Sequence, residues 1–216
     1  MTFDPWPFRH LVLRTPRLEL RPDDDAGLLE LNEEALAGVY EPGTMPFSVP
    51  WNEAPPEVQG RQTFQHYWAQ RAALGPGNWT INFLIRLDGK VIGAQGLTGK
   101  DFGVTREVSS GSWIARRLQG QGLGTEMRAA VLLFAFDHLG AQTARSEAFT
   151  DNPASQSVSR KLGYQPDGTM TVDRMGKRAT QVRLLLPASE FVRPEWQLEV
   201  SGLEDCLPLL DPAEQD

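Results

Sequence analysis

The chain has 216 residues and a mass of 24.0 kDa, with 40% hydrophobic and 23% charged residues. This supports one domain with a sizeable core and excludes disorder as the dominant state. The 21 basic and 28 acidic residues give a net charge of -7, which disfavours nucleic acid and anionic membrane surfaces as partners.

The first third of the chain combines two regular elements with a long proline-rich loop. Residues 17–21 alternate in character as a half-buried strand does, and the acidic run 23–25 can cap a helix that continues to about Leu36. Five prolines in the loop 38–60 forbid long regular structure there. The loop is nevertheless expected to pack on the domain, because it carries the apolar side chains of Met45, Phe47, Val49 and Trp51.

Strands and helices alternate through the rest of the chain, with glycines marking the breaks. Residues 75–77 stop a helix, Asp88-Gly89 signals a tight hairpin, and Gly163 ends the last helix. This order predicts an α/β fold with a mixed central sheet and flanking helices. In chain order the predicted elements are a helix over 62–73, strands over 79–87, 90–97 and 108–115, a helix over 125–139, a strand over 142–149, a helix over 153–162, and a final hairpin of strands 164–173 and 177–186.

Several further expectations concern the chain as a whole. The longest apolar run, residues 129–136, is too short to span a bilayer. A single cysteine, Cys206, excludes an intrachain disulfide, and a cytoplasmic location is expected. A main domain is predicted over 1–186 and a C-terminal extension over 187–216. The extension has alternating apolar residues that must be buried, either on its own sheet or across a dimer, and a homodimer is favoured.

The most informative stretch is the glycine-rich loop of residues 119–125, which lies between a predicted strand and a predicted helix. Its three alternate glycines let successive backbone N–H groups turn toward one point, and the helix adds unpaired N–H groups and its positive dipole end. The loop lacks the ending of a P-loop, and Thr125 stands where a dinucleotide fingerprint needs glycine. The pattern therefore predicts an anion cradle, with a flexible glycine-rich turn as the alternative.

Two motifs in register resemble those of the GCN5-related N-acetyltransferase (GNAT) superfamily. Residues 119–124, Gln-x-x-Gly-x-Gly, are similar to its acyl-coenzyme A (acyl-CoA) loop, and residues 152–164 are similar to the block after its fifth strand. Residues 13–21 resemble the opening of the ribosomal-protein and amino-terminal acetyltransferase branch. Residues 45–51, 110–113 and 151–155 are similar to those of a bacterial subgroup, some of whose members are thought to use succinyl-CoA. The resemblance implies a mostly antiparallel sheet with one splayed parallel strand pair.

The resemblance also implies how acetyl-CoA or succinyl-CoA is held. The strand before the loop, about residues 112–116, would be bulged and splay from the next strand, so that the pantetheine amides pair with its backbone. A backbone N–H near Ile114 would face the thioester oxygen, Gln119 would align the diphosphate, and Asn152 would bind the pantetheine arm. The predicted cofactor-binding residues are Trp113, Ile114, Ala115, Gln119, Gly120, Gln121, Gly122, Leu123, Gly124, Thr125, Asn152, Ser155 and Ser159.

The proton-transfer groups are predicted with alternatives. Ser155 stands where this branch has a hydrogen-bond donor to the leaving thiolate, and a helix-capping serine is its alternative role. Ser159 stands where many superfamily members have a tyrosine, and it would face the cofactor or solvent. Glu107 is the predicted catalytic base and Glu147 the alternative, unless the enzyme binds the neutral amine directly. No metal is expected, because the three histidines lack zinc-site spacing.

The acceptor pocket is predicted around the proline-rich loop. That loop and Trp113 would form its apolar wall, whereas Trp79 fits ordinary core packing better. Lys100 and Arg116, expected near the same strand ends, would read the carboxylate of a succinyl group. The predicted substrate-binding residues are Met45, Phe47, Trp51, Lys100 and Trp113.

These motifs predict an acyl-CoA-dependent N-acyltransferase that works by direct attack of an amine on the thioester, without a metal or a covalent enzyme intermediate. Acetyl is the default acyl group and succinyl the alternative. The acceptor is an amine of a protein, at its amino terminus or a lysine, or of a small molecule. A non-catalytic acyl-CoA sensor is the rival class, because serines occupy the usual glutamate and tyrosine positions.

Overall fold

The computed structural model describes residues 4–41 and 43–210. Its helices are α1 (Asp25–Ala37), α2 (Pro56–Ala73), α3 (Phe102–Thr105), α4 (Leu123–Leu133), α5 (Pro153–Lys161) and α6 (Leu207–Leu210). Its strands are β1 (Val12–Arg14), β2 (Leu18–Pro22), β3 (Trp79–Leu87), β4 (Lys90–Gly99), β5 (Glu107–Ile114), β6 (Thr143–Phe149), β7 (Gln165–Arg174), β8 (Lys177–Pro187) and β9 (Glu199–Ser201). Among the helices of these residues, none combines the length and apolar composition that crossing a bilayer requires.

The strands form one nine-stranded sheet in the order β7-β8-β6-β5-β4-β3-β2-β1-β9. In the described chain β5 and β6 are the one parallel pair, and their pairing ends at Ser109 and Arg145. Beyond that point β5 stays paired with β4 and β6 with β8, so the two strands splay apart. The predicted mixed, mostly antiparallel sheet with a splayed parallel pair is confirmed.

The predicted bulge in β5 is wrong. β5 keeps an unbroken register with β4 from Val108 to Ile114, and the Ala115 N–H continues the ladder by donating to the Ile92 carbonyl at 2.8 Å. The splay therefore comes from β6 leaving β5 and following β8. Gly93 permits the close approach of β4 to β5, because a Cβ there would lie 2.3 Å from the Trp113 carbonyl oxygen.

Helices cover both faces of the sheet. Successive side chains of a strand point to opposite faces, and those of β3 are buried on both. On β3, Phe83 and Ile85 pack in the larger core with α4, whereas Leu84 packs in a smaller core with α1 and α2. The α4 helix is buried almost throughout and continues through a five-residue π turn, Phe134–His138. The helix predicted over 62–73 begins earlier, at Pro56, because proline is tolerated in the first turn of a helix.

The C-terminal segment adds to the far edge of the same sheet. β9 pairs with β1, with Val200 opposite Leu13, and the buried Trp79 indole N–H donates to the Leu210 carbonyl at 2.7 Å. Cys206 and Leu210 are fully buried. The apolar residues of this segment are thus covered within one chain, and the homodimer that they favoured stays a prediction.

Candidate functional site

The glycine-rich loop connects the end of β5 to the start of α4. Gly120 and Gly122 have φ angles of 77° and 80°, in the left-handed region that glycine adopts without strain. In the part of the chain that the structure describes, the backbone N–H groups of residues 120–124 have no hydrogen-bond acceptor. A Cβ on Gly120 would meet nothing within 4 Å. These successive free donors, at the positive end of α4, form an open site for an anion.

Hydrogen bonds with three other segments hold this loop in place. The Gln119 amide donates to the carbonyls of Val39 at 2.7 Å and Ile114 at 3.0 Å, so it anchors the loop rather than pointing toward an anion. Arg17 donates to the Gln121 carbonyl at 3.1 Å and, through Nε, to the buried Glu126 carboxylate at 2.6 Å. Arg17 is half exposed, so it brings a cation beside the free N–H groups.

The open edge of β5 faces the splay with unpaired backbone groups. Because Ala115 donates to β4, the alternation of an antiparallel ladder directs the N–H groups of Ser112 and Ile114 toward the other edge. That edge has lost its β6 partner beyond Ser109. It can therefore bond to an extended ligand as a neighbouring strand would.

The second motif lies at the start of α5. The Asn152 carboxamide oxygen accepts the Ser155 N–H at 3.1 Å, so Asn152 caps this helix and leaves its NH₂ group free for other partners. Val158 lies 3.9 Å from where a Cβ on Gly124 would be, which brings the first turns of α4 and α5 together. The Ser155 hydroxyl is half-buried and has no hydrogen bond to a described residue.

Ser159 differs from its predicted environment. It is fully buried, and its hydroxyl donates to the Ser155 carbonyl at 3.2 Å. The expectation that it faces solvent is wrong, because the turn of α5 points it into the core. A contact with the cofactor stays a prediction.

Aromatic rings of the proline-rich loop pack against β5 on the side opposite α4. Ring centroids are separated by 5.9 Å for Tyr40 and Phe47, 5.4 Å for Phe47 and Trp51, and 5.5 Å for Trp51 and Trp113. Beside this stack lies a cavity of about 510 Å³, whose walls include Tyr40, Met45, Glu53, Arg116 and Met175. The loop thus packs on the domain and forms one wall of an open cavity next to the splay.

Lys100 does not lie near Arg116, contrary to the prediction. It follows the end of β4, which is antiparallel to β5, so it lies at the opposite end of the sheet. The paired part of β5 between these two ends runs from Val108 to Ile114, which is six residue steps or about 20 Å along the strand. Lys100 instead lines a second cavity, of about 300 Å³, together with Glu107 and Ser109. Arg116 forms an ion pair with Glu41 at 3.5 Å.

The candidate bases lie away from the open end of the splay. Glu107 forms an ion pair with Arg145 at 2.8 Å and accepts a hydrogen bond from the Thr143 hydroxyl at 3.2 Å, at the closed end of the parallel pair. Glu147 is exposed on β6. Trp79 is a core residue packed against Phe102, as expected. In residues 4–41 and 43–210, no group of three or more His, Cys, Asp or Glu is arranged to hold a metal ion.

Comparison with known proteins identifies the family of this chain and solved structures with a similar fold. A family model described as an acetyltransferase (GNAT) domain matches residues 11–165, well over half of the chain. A solved structure of Mycobacterium smegmatis RimJ in complex with CoA-disulfide is 18% identical, with a TM-score of 0.70, covering 93% of this chain and 95% of that chain.

Two further solved structures have the same fold. One is RimL, described as a ribosomal L7/L12 alpha-N-protein acetyltransferase in complex with coenzyme A; it is 16% identical, with a TM-score of 0.62, covering 80% of this chain and 95% of that one. The other is a chimera of the spermidine N-acetyltransferase SpeG from Vibrio cholerae, 16% identical, with a TM-score of 0.64 and coverages of 80% and 96%. At these identities the likeness shows the fold alone.

Proposed function

The chain belongs to the acetyltransferase (GNAT) domain family and is an acyl-CoA-dependent N-acyltransferase; within that activity, we propose that the glycine-rich loop binds the coenzyme A diphosphate and that an amine attacks the thioester directly. The observation that carries this proposal is the row of free N–H groups over residues 120–124. A diphosphate presents several acceptor oxygens and negative charge to that row, and Arg17 adds a cation beside it.

The rest of the coenzyme would follow the splay from the loop toward its closed end. The Asn152 NH₂ group would donate to the pantetheine arm, and the free Ile114 N–H would donate to the thioester oxygen, where negative charge grows during attack. Ser155 would donate a hydrogen bond to the departing sulfur, and it is therefore the proposed catalytic residue. Its half-buried and otherwise unbonded hydroxyl supports this role.

The acceptor amine would approach from the side of the proline-rich loop. Gly96 and Gly111 are directly paired, and a Cβ on Gly111 would meet nothing within 4 Å, so the strand backbone is reachable beside Trp113. We favour direct binding of a neutral amine over Glu107 as the base, because Glu107 is ion-paired with Arg145 at the closed end of the parallel pair. RimL and SpeG are described as modifying a ribosomal protein and spermidine. Their acceptors motivate a test panel with a protein amino terminus, a lysine and a polyamine.

Binding of free coenzyme A tests the cradle. We expect Gly122→Val to weaken binding by at least about 100-fold, because a β-branched residue cannot adopt the local backbone and the N–H groups lose their alignment. Gly140→Val is the matched control: Gly140 also has a positive φ and open surroundings but lies after α4, away from the loop. Calorimetry on both variants measures the effect, and retained binding in Gly122→Val contradicts the cradle.

Release of free thiol from acetyl-CoA or succinyl-CoA, with the amine panel, tests transfer. We expect Ser155→Ala to lower kcat by about 100-fold with little change in KM for the donor. Ser157→Ala is the control, because two residues along a helix place its hydroxyl on a different face. A wild-type protein that binds coenzyme A without releasing thiol with any amine would instead be the non-catalytic sensor.

A further inference from the structure

A buried arginine lies where β5 and β6 part. Arg128, in the second turn of α4, is 4% exposed. Its Nη1 donates to the Ser146 hydroxyl of β6 at 3.1 Å, and its Nη2 donates to the Ser112 hydroxyl of β5 at 3.1 Å. The guanidinium therefore spans the gap between the two diverging strands.

Among the residues that the structure describes, this guanidinium has no anionic partner. Within residues 4–41 and 43–210, no carboxylate forms an ion pair with Arg128. Burial lowers the pKa of Arg128, and the neighbouring Tyr164 hydroxyl partly opposes that effect. A guanidinium nevertheless stays protonated in proteins, and a buried charge without a counter-charge is unfavourable.

Three more polar groups around the guanidinium have no well-formed hydrogen bond to a described residue. Arg128 Nε, the Ser110 hydroxyl and the Tyr164 hydroxyl are all buried without a hydrogen bond. Each of them can donate, and the Tyr164 hydroxyl interacts with the Arg128 and Ser110 side chains without the geometry of a well-formed hydrogen bond. Donors without well-formed hydrogen bonds around a buried cation are a surrounding that suits an anion.

The cluster also lies on the path that the proposed function gives to the acyl chain. Ser110, Ser112 and Ser146 come directly after the last β5–β6 register pair, at the closed end of the splay. Ile114 lies two residues nearer the open end, about 6.6 Å along the strand. A group that extended inward from the thioester, past Ile114, would point toward the guanidinium.

We propose that Arg128 makes the closed end of the splay a carboxylate subsite, so that the preferred acyl donor is the coenzyme A thioester of a short dicarboxylic acid, such as succinyl-CoA. This inference rests on the proposed function and names the acyl group for it. The carboxylate would accept from Arg128 and from the free hydroxyls, while the acyl transfer itself is unchanged. Arg128 is then a specificity-determining residue that takes the place predicted for Lys100 and Arg116.

Binding of a matched pair of thioesters tests the inference. Succinyl-CoA and butyryl-CoA carry acyl chains of four carbons, and only succinyl-CoA ends in a carboxylate. We expect the wild type to bind succinyl-CoA at least about tenfold more tightly than butyryl-CoA, Arg128→Met to abolish that preference, and Arg128→Lys to keep part of it. Arg178→Met, at an exposed arginine of β8, should leave the preference unchanged. Free coenzyme A should bind equally to all four proteins.

The outcomes separate this inference from the proposed function. Equal affinity of the wild type for both thioesters overturns the carboxylate subsite and leaves the N-acyltransferase in place. Failure of the wild type to bind free coenzyme A overturns both. If chloride raises the melting temperature of the wild type but not of Arg128→Met, and the thioesters bind equally, the cluster holds a free anion and the acyl selectivity is wrong.

A second variant serves if Arg128→Met does not fold. Ser112→Ala removes one donor and should reduce the preference for succinyl-CoA over butyryl-CoA about threefold. An unchanged preference overturns the subsite.

Discussion

Glu126 and Arg128 lie two residues apart on α4, and both are buried, but only Glu126 has its charge compensated. The Glu126 carboxylate accepts the Thr15 hydroxyl at 2.6 Å, the Arg17 backbone N–H at 3.1 Å and the Arg17 Nε–H. It fixes the segment before β2 to the helix that begins the anion site. The charge of Glu126 thus serves the fold, whereas the charge of Arg128 is left for a ligand.

Replacing Glu126 tests that structural role. We expect Glu126→Ala to lower the free energy of unfolding by about 3 kcal/mol, because the Thr15 hydroxyl and two N–H groups of Arg17 lose one buried acceptor together. Glu19→Ala should lower it by less than about 1 kcal/mol, since the partly exposed pairs of Glu19 with Arg14 and Arg21 are screened by solvent. Denaturant unfolding of both variants measures the difference; similar losses would contradict the assignment.

The buried carboxyl of Asp23 is expected to make the free energy of unfolding depend on pH. Burial raises the pKa of its carboxyl from 3.8 to about 7, although Arg71 lies 2.8 Å away and opposes the shift. Between these two values the folded state holds a proton that the unfolded chain releases, so the free energy of unfolding falls as pH rises from about 4 to 7. We expect Asp23→Asn to flatten that fall, which amounts to at most about 4 kcal/mol. Unfolding curves across this range measure it.

A matched variant separates Asp23 from the other carboxylates. Asp88→Asn changes an exposed residue in a hairpin turn whose left-handed backbone asparagine also adopts. Its pH dependence should match that of the wild type. A wild-type slope that survives in Asp23→Asn would assign the titration to another group.

Among the elements, those with strong local signals are predicted well from sequence. The Asp88-Gly89 turn, the glycine cluster over 75–77 and the period of α4 all depend on neighbouring residues, and each marks an observed boundary or helix. β1 and β9 are three residues long and exist only because they pair with each other and with β2. No local pattern carries that information, so these two strands could not be predicted from the sequence.

The docking of the C-terminal segment predicts the reactivity of the single thiol. Burial raises the pKa of Cys206 to about 12, so the thiolate that reacts with disulfide reagents is scarce in the folded chain. Trp79→Phe removes the bond to the Leu210 carbonyl, and we expect labelling of Cys206 to accelerate about tenfold. Trp68→Phe, which removes an exposed bond to Asp25, is the control and should not change the rate.

On the scale of the whole molecule, the two halves of the site differ in how far sequence predicts them. The anion loop depends on glycine spacing within seven residues, and the structure has the free N–H groups that this spacing predicts. The closed end of the splay gathers Arg128, Ser112, Ser146 and Tyr164 from separate parts of the chain. Only the tertiary fold brings those residues together, so the sequence alone predicts carboxylate-reading residues at Lys100 and Arg116 instead.

The open splay predicts an alternating pattern of amide exchange along β5. The N–H groups of Gly111 and Trp113 face β4 and should exchange slowly, whereas those of Ser112 and Ile114 face the splay and should exchange fast. Saturating coenzyme A should slow Ser112 and Ile114 and leave their neighbours unchanged, because the pantetheine takes the place of the missing strand. Residue-resolved exchange by NMR measures this. Uniform protection of the four amides without ligand would show that the splay is closed in solution, and unchanged exchange with ligand would place the pantetheine elsewhere.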